Sequence, residues 1–165
     1  MDTQFRLLME SPIGWMEILG SDNFIHAIHF IDNLSADRQN PAGILEECRI
    51  QLEDYFKGKR KSFDLPYETE GTDFQRKVWD HVLKIPFGET KSYGDVAREI
   101  GNLNLMRAVG MANGKNPLSI VIPCHRVLGA NNKLVGYGGG LERKDWLLKH
   151  EMKVSGIEHQ MDIFH

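Results

Sequence analysis

The densest chemistry in the sequence lies at Pro123-Cys124-His125-Arg126. A thiol attacks as its thiolate, so a nucleophilic cysteine needs a base within hydrogen-bond reach, directly or through one water. That base in turn needs a group to orient it. His125 is the adjacent candidate base, and Glu151, at the end of the last apolar-periodic segment, is the candidate orienting carboxylate. Adjacency in sequence does not bring two side chains together, and from spacing alone a structural cysteine beside a surface histidine is the commoner arrangement. The run Val135-Gly136-Tyr137-Gly138-Gly139-Gly140 lacks the following lysine and serine of a phosphate-binding loop. It reads instead as the wall of a tight pocket, where backbone amides approach a planar ligand. Cys48 shares a helical apolar stripe with Ile44, Leu45, Leu52 and Tyr55, which marks a buried, inert thiol.

These groups have to be positioned by the elements around them. Three strands are expected at residues 6–10, 15–19 and 24–31, with turns at Ser11-Pro12-Ile13-Gly14 and Ser21-Asp22-Asn23. On the third strand, alternation puts Phe24, His26, Ile28 and Phe30 on one face and Ile25, Ala27, His29 and Ile31 on the other. His26 and His29 then point apart, and no shared metal is expected. A loop at 32–43 leads to a helix that ends at Gly58. The later part is mostly helical. Thr72 or Asp73 can cap a helix bearing Phe74, Val78, Trp79, Val82 and Leu83. Ser92 can cap a shorter helix stopped by Gly101, and another helix follows at about 105–113. The pair forms a helix-turn-helix. Its second member carries Arg107-Ala108-Val109-Gly110-Met111-Ala112, small residues that allow close approach to a partner or, equally, close packing in a core. Residues 119–122 read as a short extended segment, and 142–151 as a final helix with Trp146, Leu147 and Leu148 inward.

Charge separates the two parts. Residues 1–73 carry 7 basic and 14 acidic side chains, residues 74–153 carry 13 and 7, and no acid lies between Glu99 and Glu142. A polyanion meets little repulsion there, though a solvated loop region lacking acids has the same composition. Two cysteines, no secretory pattern in residues 1–8 and no apolar run near the roughly 18 residues of a membrane span make a reducing, cytoplasmic setting the expectation.

Several of these stretches together resemble the methylated-DNA–protein-cysteine methyltransferase (6-O-alkylguanine-DNA alkyltransferase) family. They are Ile122-Pro123-Cys124-His125-Arg126-Val127, Gly136-Tyr137-Gly138-Gly139-Gly140-Leu141 and Lys144-Asp145-Trp146-Leu147-Leu148-Lys149-His150-Glu151, with Phe74-Gln75, Phe87-Gly88, Ser92-Tyr93, Arg107-Ala108-Val109-Gly110 and Asn116-Pro117 in the same order. The resemblance is strong over about 72–151. It implies an α+β fold, with a ribonuclease-H-like domain at 1–70 (a small antiparallel sheet and a helix), a helical, winged-helix-like domain at 71–152 that binds DNA and accepts the alkyl group, and a tail at 153–165. It implies irreversible, single-turnover transfer of an alkyl group from 6-O-alkylguanine, and from 4-O-alkylthymine, to Cys124, without a cofactor.

The resemblance also assigns roles. His125 takes the Cys124 proton through a bound water, Glu151 orients His125, and Asn116 holds the turn between the recognition helix and the active-site segment. Arg107 fills the gap left by the flipped nucleotide, and Tyr93 helps rotate that nucleotide out. Ala108 and Gly110 belong to the recognition helix, which enters the minor groove. The Cys124 and Val127 carbonyls accept from the guanine amino group, while Tyr137 and the Gly138 amide line the pocket. The implied partner is double-stranded DNA bound by a monomer, with no membrane, located in the cytoplasm on the nucleoid or in a nucleus. Some relatives hold a structural zinc through N-terminal Cys and His. Here Cys48 is the only N-terminal cysteine, so no metal is expected. Gly138 replaces a serine, and Ser119 a proline, of some relatives, which implies a roomier pocket. Other readings are a non-catalytic lesion-binding relative, which Cys124 argues against, a helix-turn-helix regulator, and a Cys-His-Glu hydrolase that would turn over.

Overall fold

The computed structural model describes residues 3–34 and 43–156. The loop expected at 32–43 and the tail expected from 153 therefore lie largely outside the described residues. The elements are β1 (Phe5–Ser11), β2 (Gly14–Gly20), β3 (Ile25–Ile31), α1 (Gly43–Phe56), α2 (Asp73–Leu83), β4 (Lys91–Ser92), α3 (Tyr93–Ile100), α4 (Met106–Gly114), β5 (Val127–Leu128) and α5 (Leu141–Ser155). The class is mixed α+β. Residues up to Glu70 together with Pro117–Ser119 make one compact unit; Gly71–Asn116 and the chain from Ile120 make another. No helix among the described residues is long and apolar enough to cross a membrane.

In the first unit β1, β2 and β3 form an antiparallel sheet in chain order, Leu7 opposite Ile18 and Ile18 opposite Ile28. Leu7, Met9, Met16, Ile18 and Ile28 are buried on the face that α1 covers with Leu45, Cys48, Leu52 and Tyr55. Simple alternation fails at one place. Leu19 pairs with Ala27 but Gly20 pairs with Ile25, so His26 is an extra residue. The bulge returns Ile25 to the face of Ile28, and both are buried. His26 instead shares a 2.8 Å hydrogen bond with Thr3, and His29 one of 3.2 Å with Glu17. Buried Gln51 clamps the backbone of Asp64, donating to its carbonyl and accepting from its N–H, both at 2.9 Å. Leu118 bridges to Ile28.

In the second unit local rules set the helix starts. Thr72 and Gln75 form a capping box on α2, and Ser92 and Asp95 another on α3. Val78, Trp79 and Val82 are the buried stripe of α2, and the Trp79 indole N–H donates to the Ala112 carbonyl of α4 at 2.9 Å. Gly101 ends α3 at φ 144°, and a 3₁₀ turn over Leu103–Leu105 leads into α4. Two expectations are corrected here. The segment at 119–122 is not extended, because Ile120 sits at φ 72°, a left-handed conformation rare for a β-branched residue, and the chain turns. In α5, Trp146 is only half-buried and stacks on His150 with ring centroids 4.9 Å apart. The inward stripe is Lys144, Leu147, Leu148, Glu151 and Met152.

The tightness at the bulge generates a prediction. A Cβ on Gly20 would lie 2.5 Å from the Phe24 carbonyl oxygen and 3.1 Å from Leu45 Cδ1, whereas one on Gly43 meets nothing within 4 Å. Gly20→Ala should lose about 1–3 kcal/mol in urea unfolding, and Gly43→Ala should be neutral or slightly stabilising. Equal midpoints for the two variants would show that the bulge yields freely.

Candidate active site

Cys124 opens a one-turn 3₁₀ segment, Cys124–Arg126, that runs directly into β5. Parallel pairing of Lys91 with Val127 and Ser92 with Leu128 fixes this turn against the start of α3. The thiol is buried. Asn116 Nδ2 donates to the Ile122 carbonyl at 2.8 Å and to Cys124 Sγ at 2.9 Å, so one amide shapes the turn and holds the sulfur. Asn113 Nδ2 donates to the Cys124 carbonyl at 3.2 Å. Burial pushes the Cys124 thiol up to about 11, while the Asn116 amide, the Lys144 cation and the N–H groups of Cys124 and His125 pull it back. The Cys48 thiol, pushed up to about 12 by burial and by Glu47, has no such counterweights.

His125 is fully buried, with Nε2 2.6 Å from Glu151 Oε2. Glu151 also accepts from Arg126 Nε at 2.7 Å, Arg126 Nη2 at 3.0 Å and the Gly88 N–H at 3.0 Å. Burial alone would raise the Glu151 carboxyl. The interactions with His125 and Arg126, hydrogen bonds among them, outweigh it and hold the group well below the ordinary carboxylate range. An ionised Glu151 only accepts, so His125 Nε2 carries the hydrogen and Nδ1 carries the lone pair. Nδ1 has no hydrogen-bond partner among the described residues. Burial lowers the affinity of the imidazole for a second proton; Glu151 opposes this, and Arg126 and Lys144 reinforce it.

Lys144 stands on the other side of the Cys124–Arg126 turn, fully buried, donating to the Val127 carbonyl at 2.6 Å and the Val135 carbonyl at 2.7 Å. It ties β5 to the glycine-rich loop. Burial lowers its ammonium to about 8. The Tyr93 hydroxyl donates to the same loop, 3.1 Å from the Val135 and Gly136 carbonyls. Tyr137 is half-buried and Gly138 exposed on that loop, where a Cβ at Gly138 would meet only the Gly114 carbonyl oxygen at 3.6 Å. A groove of about 580 Å³ between α3 and α4 is lined by Tyr93, Gly94, Leu103, Met106, Arg107 and Gly110, among others. Arg107 is exposed, and Ala108 is half-buried outside the groove.

The residues singled out from the sequence thus gather in two places. Cys124, His125, Glu151 and Asn116 lie in and around the Cys124–Arg126 turn, and Arg107 and Gly110 line the groove. Tyr93 belongs to the groove and to the glycine-loop contacts; Val127 is held by Lys144. The sequence reading missed Arg126, Lys144, Asn113 and Gly88. A signal existed for Lys144, which shares the spacing of Leu147, Leu148 and Glu151. The other contacts come from segments 11 to 63 residues apart and leave no local pattern. Among the described residues no group of three or more His, Cys, Asp or Glu is placed to hold a metal.

Comparison with known proteins agrees over nearly the whole chain. Residues 73–153 match the family model described as 6-O-methylguanine DNA methyltransferase, DNA binding domain, and residues 5–69 match its ribonuclease-like domain. The methylated-DNA–protein-cysteine methyltransferase of Methanosarcina acetivorans is 43% identical over 149 residues, which cover 87% of this chain and 96% of that one. The crystal structure of Mycobacterium tuberculosis O6-methylguanine methyltransferase superposes with a TM-score of 0.82 at 40% identity, covering 90% of this chain and 93% of that one. The Mycobacterium tuberculosis protein has also been solved in complex with DNA, with the same TM-score and identity, over 93% of this chain and 96% of that one.

The Glu151 geometry predicts a pH signature. A carboxylate held below its unfolded value contributes stability above that value and loses it as pH falls toward the folded one. Glu151→Gln strands the buried Arg126 and should cost about 3–5 kcal/mol at pH 7. The gap to wild type should narrow as pH drops below about 4.5. Urea unfolding at pH 7 and pH 3.5 measures both; a gap of constant size would remove Glu151 from the acid transition.

Proposed function

The chain belongs to the 6-O-methylguanine DNA methyltransferase family, and from that premise we propose that it repairs alkylated DNA by moving the alkyl group from O6 of guanine onto Cys124. The observation that carries this reading is the buried Cys124 thiol held by Asn116, next to His125, whose far nitrogen is fixed on Glu151.

The reaction balances without a cofactor. The S–C bond forms as the C–O6 bond breaks; the thiol proton passes through one water to His125 Nδ1, the departing guanine takes one proton onto N1 from solvent, and the imidazolium returns its proton to solvent, so that one proton in all moves from sulfur to N1. Thiol plus alkylguanine becomes thioether plus guanine. The thioether offers no hydrolysable bond, so each molecule acts once. Chemistry on a base edge inside a duplex requires extruding that base. Tyr93, on the rim of the groove, helps turn it out, and Arg107 takes its place in the stack. Gly110 and Ala108 let α4 approach the minor groove, where readout is nearly independent of sequence. The Val127 and Cys124 carbonyls, aimed by Lys144 and Asn113, accept from the guanine amino group. Tyr137 and the Gly138 amide line the pocket. O4-alkylthymine is a second substrate, the protein acts as a monomer, and its place in the cell is wherever the DNA lies.

Mixing the protein with duplex DNA containing 6-O-methylguanine should add one methyl group to the peptide bearing Cys124 and none to that bearing Cys48. Mass analysis reads this directly, and label on Cys48 or more than one methyl removed per molecule would sink the proposal.

Arg107→Ala tests extrusion apart from chemistry. Losing a group that offsets about 1.5–3 kcal/mol of flipping should slow repair of saturating duplex by roughly ten- to two-hundredfold. Reaction with the free alkylated base, which needs no flipping, should stay near the wild-type rate. Equal impairment on both substrates would assign Arg107 to the fold instead.

A further inference from the structure

Arg126 touches neither the thiol nor the place where the alkyl group must sit, yet it is buried with three of its nitrogens committed. Nε and Nη2 fork onto Glu151, Nη1 donates to the Ile85 carbonyl at 2.7 Å, and the guanidinium lies 5.6 Å from the centre of the Phe87 ring. It therefore joins the end of α2, the Pro86-Phe87-Gly88 turn and α5. Nη2 and His125 Nε2 both bond the same oxygen, Glu151 Oε2. An isolated carboxylate 2.6 Å from an imidazole in a dry site draws a second proton onto the ring, because nothing else there answers its charge. An imidazolium has no lone pair with which to accept a proton from sulfur.

We propose that Arg126 is a positioning residue that fixes the Glu151 carboxylate and offsets its charge, so that His125 stays neutral at physiological pH with Nδ1 able to accept the Cys124 proton. The inference rests on the alkyl-transfer reading for its consequence, but its physical content concerns only the free protein. The charged or titratable groups facing His125 are Glu151 and Lys144 from α5, and Arg126 and Cys124 from its own turn. Glu151 favours the protonated ring, Arg126 and Lys144 disfavour it, and burial adds to the disfavour. Replacing Arg126 with a neutral side chain removes one of two opposing cations and frees the carboxylate to pair with the imidazolium.

The test is an NMR titration of the His125 ring in the free protein, paired with single-turnover transfer rates at saturating alkylated duplex from pH 5 to 9. In Arg126→Gln the His125 titration should move up by one to two pH units. The acid limb of the rate profile should follow, giving a loss of about ten- to a hundredfold on that limb that largely recovers at pH 9. Arg126→Lys keeps a charge but not the fork and should shift the titration upward by less. If Arg126→Gln does not fold, Arg126→Lys decides alone. A His125 titration that is unmoved or lowered, or a rate reduced equally at every pH, overturns the proposal and leaves Arg126 a structural tie. A wild-type protein that transfers no alkyl group would refute the function while leaving the titration result to stand by itself.

Discussion

Glu151 carries a negative charge inside the protein, and the rest of the site is arranged around it. Its two oxygens receive His125, both branches of the Arg126 fork and the Gly88 N–H. Those donors come from the acceptor turn and from the loop after α2, while Glu151 itself rides on α5. A buried ion pair of this kind gives little net stability compared with an apolar replacement, but removing one partner is costly. The consequence is geometric. The turn bearing Cys124 cannot shift relative to α5 without breaking charge-assisted hydrogen bonds in a dry interior. Gly88 shows how closely the loop is pressed: at φ 81°, a Cβ there would lie 2.4 Å from Ser155 Oγ.

Charge balance extends the same constraint across the turn. Arg126 and Glu151 cancel, and His125 is neutral in its favoured form. Lys144 remains as a buried ammonium satisfied by two carbonyls. Its field reaches Cys124, lowering the thiol that burial raises, and a charged Cys124 would in turn hold the proton on Lys144. The two sides of the turn therefore have distinct tasks. In the proposed transfer the Glu151 side readies an acceptor for the proton, and the Lys144 side stabilises the anion that the proton leaves behind.

What the sequence made legible follows from how local each determinant is. The capping boxes at Thr72 and Ser92, the stop at Gly101 and the α1 stripe are set within a few residues, and each was readable. Cys124, His125 and Glu151 were candidates by residue type, but their spacing alone favoured a structural cysteine, and it was the family resemblance that grouped them. The bulge at His26 was not, because register depends on Gly20 across the sheet and on the space available beside it. The reversal of Trp146 and Lys144 was only half readable: Lys144 shares the spacing of Leu147, Leu148 and Glu151, but a hydrophobicity pattern sends Trp inward and Lys outward. Here the interior holds two carbonyls that need a donor, and the exterior holds His150, on which an indole can stack. Arg126 stood in plain view beside His125, but its partner is 25 residues away in sequence.

Burial of the nucleophile sets the character of the chemistry. A thiol raised to about 11 is almost wholly protonated at neutral pH, so the resting protein is shielded from stray electrophiles. A catalyst that must turn over thousands of times would lose rate through so small a thiolate fraction. A protein that spends its cysteine once loses more by spending it on the wrong electrophile. In the proposed transfer deprotonation runs through His125, so the thiolate forms where its target already lies in line. Burial keeps sulfur and imidazole in their uncharged resting forms, and Arg126 adds to this for the imidazole; Glu151 favours the charged imidazole and Lys144 the charged sulfur that the proposed step creates.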